Sequence, residues 1–187
     1  VILTMKNIIN IITLSRILCA PLIFICITEL ESFGVAFVLF IFASITDFLD
    51  GYLARKFNAT SELGRILDPI ADKILIAFTL IALTLYLDSF YLGIMTATIL
   101  AREFWVSALR ELNAINKNLD ATKVTFMAKI KTTAQFIAIS GYVLALYFNL
   151  AILLFVSNFI LLVAVLVTLI TGIEYTTNTL KVTLRED

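Results

Sequence analysis

Six apolar segments divide this chain, and the places where they meet are of two kinds. The segments run at approximately 8–28, 33–54, 64–87, 90–112, 125–148 and 151–174, each near the roughly 20 residues that cross a hydrocarbon layer as a helix. Junctions 29–32, 88–89 and 149–150 are very short and hold no Lys or Arg. All 14 basic residues fall near the N-terminus, between segments two and three, between four and five, or near the C-terminus. Lys and Arg accumulate on the cytoplasmic side of spanning segments. The pattern therefore predicts that both termini and the second and fourth loops are cytoplasmic. The expected fold is an all-α integral membrane protein with six transmembrane helices, built as one domain over residues 1–187 without internal repeat or low-complexity tract.

Composition narrows the chemistry further. A mean hydropathy of +1.03 and a 12% aromatic content exclude an ordinary soluble domain. Histidine is absent, which removes imidazole as base, nucleophile or metal ligand. Cys19 and Cys26 are seven apart, roughly 10.5 Å along a helix axis, beyond disulfide reach. They read as reduced packing residues. The first apolar segment contains Arg16 and lacks a clear small-residue cleavage site, so no cleavable signal peptide is expected.

Between segments two and three stands the stretch DFLDGYLARKFNATSELGRILDPIADK, from Asp47 to Lys73. Helical neighbours three or four apart share a face, so Asp47, Asp50 and Ala54 line one stripe, and Asp68 and Asp72 another. An antiparallel hairpin around 55–63 brings all four carboxylates to one depth. Isolated acids at helix ends are usually solvated caps or partners of Lys and Arg. Four acids, two glycines and an arginine at these intervals point instead to a divalent cation, because clustered carboxylates repel one another unless a positive charge joins them. Gly51 and Gly64 let a ligand approach the backbone or let helices pack closely. Pro69 is expected either to kink segment three or to mark the first turn of its regular part.

Other polar groups lie at the same cytoplasmic depth, where charge is costly and usually marks function. Asn10, Thr13 and Arg16 are spaced three apart on segment one. Segment four carries Arg102, Glu103, Arg110 and Glu111, and segment five opens with Lys129, Lys131, Thr132, Thr133 and Gln135. Glu103 and Glu111 are placed to brace the two arginines as ion pairs. Divalent ions held by carboxylates commonly bridge phosphates, and Arg and Lys bind a second anionic group. The site looks built for two phosphate-bearing reactants.

The pattern D-x2-D-G-x2-A-R-x8-G-x3-D-x3-D, filled by Asp47, Asp50, Gly51, Ala54, Arg55, Gly64, Asp68 and Asp72, resembles the signature of the CDP-alcohol phosphatidyltransferases at every fixed position. The blocks NIITLSR (10–16), LDPIADK (67–73), ARE (101–103), SALRE (107–111) and AKIKTTAQ (128–135) are similar to the bacterial phosphatidylglycerophosphate synthase branch. Ala128 stands where that branch has Gly, and Ile9 where it commonly has Pro. The resemblance implies transfer of a phosphatidyl group from CDP-diacylglycerol to sn-glycerol 3-phosphate. It implies two Mg or Mn ions on Asp47, Asp50, Asp68 and Asp72, with Asp72 also the general base. It places Gly51, Ala54, Arg55 and Gly64, with Thr13 a lesser member, on the CDP side. Arg102, Arg110, Lys129 and Lys131 are the candidates for the acceptor phosphate. A homodimer in the bacterial cytoplasmic membrane is implied, with membrane lipids around it and no nucleic-acid partner.

Rival readings differ in what they require. Inositol phosphate, serine or phosphatidylglycerol would serve as acceptor in the same chemistry, although the basic cluster argues against neutral serine. A transporter would place its acids near midplane within an inverted repeat, and neither is evident. A prenyltransferase would need a DDxxD-type cluster and a phospholipase-D-like synthase would need His; the chain has neither.

Overall fold

The computed structural model describes the backbone of residues 2–56, 62–116, 122 and 126–186, and the side chains of 11–47, 64, 67–116, 122 and 126–181. Among the described residues it consists of six α-helices without a strand: α1 (Ile2–Thr28), α2 (Phe33–Lys56), α3 (Glu62–Tyr86), α4 (Phe90–Ile115), α5 (Phe126–Phe148) and α6 (Ala151–Glu186). Each apolar segment has become one helix. The ends differ most at α1, which begins six residues early, and at α6, which continues twelve residues past the apolar stretch. Hydropathy marks where a segment stops being apolar, whereas the helical hydrogen-bond ladder runs on through Thr, Asn and Lys. Among the described residues four helices are long and apolar enough to cross a membrane, over Ile11–Thr28, Leu67–Tyr86, Phe90–Ile115 and Ala151–Lys181. The described side chains of α2 give an apolar stretch over Phe33–Asp47, and α5 opens on its polar run.

The three short junctions turn by one mechanism. Glu31, Asp88 and Asn149 each take a left-handed backbone conformation, with φ of 48°, 44° and 53°. Asp and Asn tolerate this region better than most residues. After α3 and α5 the chain closes with a 6→1 bond, Ser89 N–H to Thr84 C=O (3.4 Å) and Leu150 N–H to Ala145 C=O (2.9 Å), the pattern that satisfies orphaned helix carbonyls. The Ser89 hydroxyl then accepts from Leu92 N–H as the N-cap of α4. Tight turns of this kind force the helices to run up and down, so the polar ends of all six gather opposite these junctions.

Helix α1 packs between α2 and α3; α6 packs on α5 and α4; α2 meets α5 and α3 meets α4 to close the bundle. The interior is apolar, with Ile23 and Ile27 of α1, Phe40 of α2, Leu80 and Leu83 of α3, and Ile139 of α5 fully buried. Cys19 and Cys26 are buried and unbridged, as their spacing predicts. The outside is apolar too: Phe42, Phe78, Phe104, Phe155 and Phe159 stand exposed on α2, α3, α4 and α6. An outer surface of this kind suits hydrocarbon rather than water.

Pro69 lies well inside α3 rather than in its first turn. Its missing N–H withdraws the normal donor from the carbonyl of residue 65, one turn before the paired aspartates. At the other end a glycine and a serine meet across α5 and α6. A Cβ on Gly141 of α5 would run into the Ser157 hydroxyl of α6, while Tyr142 donates to Asn158 beside it (2.6 Å). Gly141→Ala should therefore lower the melting temperature in detergent, by an overpacking penalty of about 1–3 kcal/mol. Adding Ser157→Ala in the same chain should recover most of the loss. A Gly141→Ala protein that melts with the wild type would show that the interface yields freely.

Candidate active site

The centre of the polar end is the Arg16 guanidinium, which is 0% exposed. From α1 it reaches carboxylates on two other helices. Nη1 donates to Asp47 Oδ1 on α2 at 2.5 Å and to Asp72 Oδ1 on α3 at 2.7 Å. Nη2 donates to Asp68 Oδ1 at 3.3 Å, and the buried Thr13 hydroxyl, one turn away on α1, donates to the same oxygen at 2.9 Å. The spacing of Thr13 and Arg16 gives them one face of α1, and that of Asp68 and Asp72 gives them one face of α3. Gly64 is buried on α3 one turn before Asp68. The side chains of Asp50, Ala54 and Arg55, and the surroundings of Gly51, lie outside the described residues.

The expected self-repelling acid cluster is therefore already bridged by a cation. Arg16 is the residue whose role the sequence left unassigned. Its signals there were a charge deep in an apolar helix, on one face with Asn10 and Thr13, and its place at the end of the block NIITLSR. Asp47, Asp68 and Asp72 remain 45%, 40% and 35% exposed, so their outward sides stay accessible. Three carboxylates and one guanidinium leave two negative charges, all on hard oxygen donors, which is the donor chemistry that Mg and Mn prefer. Among the described residues no three acids surround one point closely enough to hold an ion as they stand. The guanidinium nitrogen lies between two of them.

A cavity of about 310 Å³ opens beside this cluster, with Asp72 and Pro69 in its wall. Its other lining groups include Arg102 and Arg110 of α4 and Lys131 and Gln135 of α5. The structure thus brings Asp72 together with three of the four basic residues expected to face an acceptor. Lys129 is exposed on α5 and absent from this lining. Lys73, not singled out from sequence, also lines the cavity and donates to the Ser107 hydroxyl, tying α3 to α4.

The basic groups are held in different ways. Arg102 is buried and committed: Nε donates to Thr168 C=O (3.2 Å), Nη2 to the Thr171 hydroxyl (2.8 Å) and Nη1 to Glu103 (2.9 Å). Glu103 also pairs with Lys131 at 2.5 Å, so the expected brace forms on that side. Glu111 is exposed and makes no ion pair among the described residues. Arg110 instead lies over the Tyr175 ring at 6.0 Å, with Arg102 over the same ring at 5.7 Å. Without a carboxylate partner among the described residues, Arg110 is the cation best placed to meet an anion from outside.

The family model for CDP-alcohol phosphatidyltransferases matches residues 6–171. Proteins of Rickettsia felis and Rickettsia typhi are each 41% identical, over 173 and 174 residues, covering 91% of this chain and 93% and 96% of theirs. A protein of Escherichia coli strain K12 is 36% identical over 137 residues, 72% of this chain and 75% of its own. All three carry the name CDP-diacylglycerol–glycerol-3-phosphate 3-phosphatidyltransferase.

Removing Arg16 should expose how much the cluster depends on it. Arg16→Met leaves three facing carboxylates without their shared counter-charge. In chelator its stability should fall by roughly 3 kcal/mol, the low end for a broken buried pair because the acids stay part-exposed. Millimolar Mg should then raise its melting temperature more than that of the wild type. An unchanged melting temperature in EDTA would contradict the bridging role.

Proposed function

Because the chain belongs to the CDP-alcohol phosphatidyltransferases, we propose that it transfers the phosphatidyl group of CDP-diacylglycerol to sn-glycerol 3-phosphate, giving phosphatidylglycerophosphate and CMP. The observation that carries the choice of acceptor is the single cavity lined by Asp72 together with Arg102, Arg110 and Lys131. A carboxylate that takes a proton and cations that hold a phosphate are what a phosphorylated alcohol requires. The names of the relatives support the same acceptor.

In this reading Asp47, Asp50, Asp68 and Asp72 hold two Mg or Mn ions. When bound, these ions supply positive charge against the pyrophosphate and the departing CMP. Asp72 takes the proton from the attacking glycerol hydroxyl as that oxygen bonds to the phosphatidyl phosphorus and the bond to CMP breaks. Thr13 orients Asp68 and belongs with Gly51, Ala54, Arg55 and Gly64 on the CDP side. Arg110 and Lys131 lead the acceptor-phosphate set. Arg102 contributes charge from a fixed position, and Lys129, exposed and away from the lining, is the weakest of the four. With six spans and both termini cytoplasmic, as the distribution of Lys and Arg supports, the site would lie at the cytoplasmic interface of a bacterial inner membrane. There diacylglycerol tails enter from lipid and glycerol phosphate from water. The assembly is a homodimer.

The direct test gives purified protein CDP-diacylglycerol with glycerol 3-phosphate, inositol phosphate, serine or phosphatidylglycerol, and identifies the lipid product by mass spectrometry. Phosphatidylglycerophosphate should form only with glycerol 3-phosphate present, and EDTA should abolish it until Mg or Mn is restored. A product from another alcohol would reassign the acceptor, and full turnover after chelation would remove the metal from the mechanism.

Arg110→Ala should raise the apparent KM for glycerol 3-phosphate by roughly ten- to a hundredfold, the worth of one charge-assisted hydrogen bond of about 1.5–3 kcal/mol. The KM for CDP-diacylglycerol should stay near wild type, and Arg110→Lys should rescue only in part. Equal rises in both KM values would place Arg110 in the fold or on the nucleotide side. Arg102→Ala, by contrast, should also lose thermal stability, since three donors to neighbouring groups go with it.

A further inference from the structure

One buried group on the cavity wall has no use in the reaction as described. Gln135, on α5 one turn after Lys131, is 2% exposed, and its Nε2 has no hydrogen-bond partner among the described residues. Buried amides are normally satisfied, and an exception calls for a reason. Here the side chain lines the cavity that Asp72, Arg110 and Lys131 share, and it stands on the face of α5 that carries Lys131.

We propose that Gln135 is a specificity-determining residue, its amide bonding the acceptor hydroxyl that does not react. This rests on the acceptor reading above. Glycerol 3-phosphate presents three polar groups: a phosphate, the attacking hydroxyl and a neighbouring secondary hydroxyl. Arg110 and Lys131 match the first and Asp72 the second. The third is neutral, both donor and acceptor, and the amide is its complement. A neutral group also fits the place, because another cation there would compete for the phosphate. A pocket built to bond a hydroxyl rejects an analogue lacking it, since the buried polar group is then left unpaired.

The test compares glycerol 3-phosphate with 3-hydroxypropyl phosphate, which keeps the phosphate and the primary hydroxyl and lacks the secondary one. Wild-type kcat/KM should favour glycerol 3-phosphate by about tenfold, one neutral hydrogen bond. Gln135→Leu and Gln135→Met should lose about that factor with glycerol 3-phosphate and little with the analogue, so that the preference collapses. KM for CDP-diacylglycerol should not move. Because the amide is unpaired without substrate, neither variant should melt below the wild type, which separates this role from a packing one. Equal losses with both acceptors, a retained preference, or a fall in melting temperature in both variants would overturn the assignment. If the wild type turns over neither acceptor, the acceptor reading itself fails, and this one with it.

Discussion

A buried arginine bonded to three carboxylates holds this molecule's polar end together. Arg16 supplies donors to Asp47 on α2 and to Asp68 and Asp72 on α3, so one side chain of α1 fixes the relative height of three helices. Burying a guanidinium is unfavourable unless its donors are met, and burying acids together is unfavourable unless their charge is shared. For the two terminal nitrogens of Arg16 each requirement answers the other. The remaining excess of negative charge faces outward through the exposed sides of the carboxylates, where a divalent ion would meet it.

The rest of the bundle extends that arrangement. Tight turns at Glu31, Asp88 and Asn149 send the chain back toward the same end three times, so residues from all six helices reach one layer. A second layer of charge then forms beside the first. Glu103 joins Arg102 to Lys131, and α6 contributes Thr168, Thr171 and the Tyr175 ring. These contacts leave the cations of the cavity unequal. Arg102 is held on every side, Lys131 shares one acid, and Arg110 rests on an aromatic face. A phosphate entering the cavity would find a rigid charge and a more adaptable one.

Much of this was legible in the residues. The apolar segments foretold the helices because a run near 20 residues without charge has few other folds available. The i, i+4 spacing of Asp68 and Asp72 foretold that they share a face, and the charge of Arg102 inside an apolar segment foretold that it would need partners. Three things were not legible. The partner that Arg16 would choose depended on the packing of α1 against α3, a long-range fact with no local trace. Pro69 could equally begin a helix or sit within one, since its effect is local and the choice is made by the residues before it. The orphaned amide of Gln135 could not be foreseen, because the sequence puts this glutamine at the depth of the other polar groups without showing which neighbours bury it or leave it unpaired.

The length of α6 has a mechanical consequence. From Ala151 to Lys181 the helix covers 31 residues, about 46 Å at 1.5 Å per residue, with its apolar run ending near residue 174. Fitting that within a hydrocarbon layer of about 30 Å by tilt alone would need an inclination near 50°, beyond the roughly 40° seen at most. In a bilayer its last turns must emerge, and they do not emerge alone: Thr176 and Thr179 accept from Trp105 and Asn113 of α4 at 2.9 and 2.8 Å. The two helices form a splinted mast. The height of Arg110 along α6 is set by how α4 is clamped to it, so a thicker or thinner membrane would slide along the mast without carrying the anion-facing arginine up or down relative to the bundle.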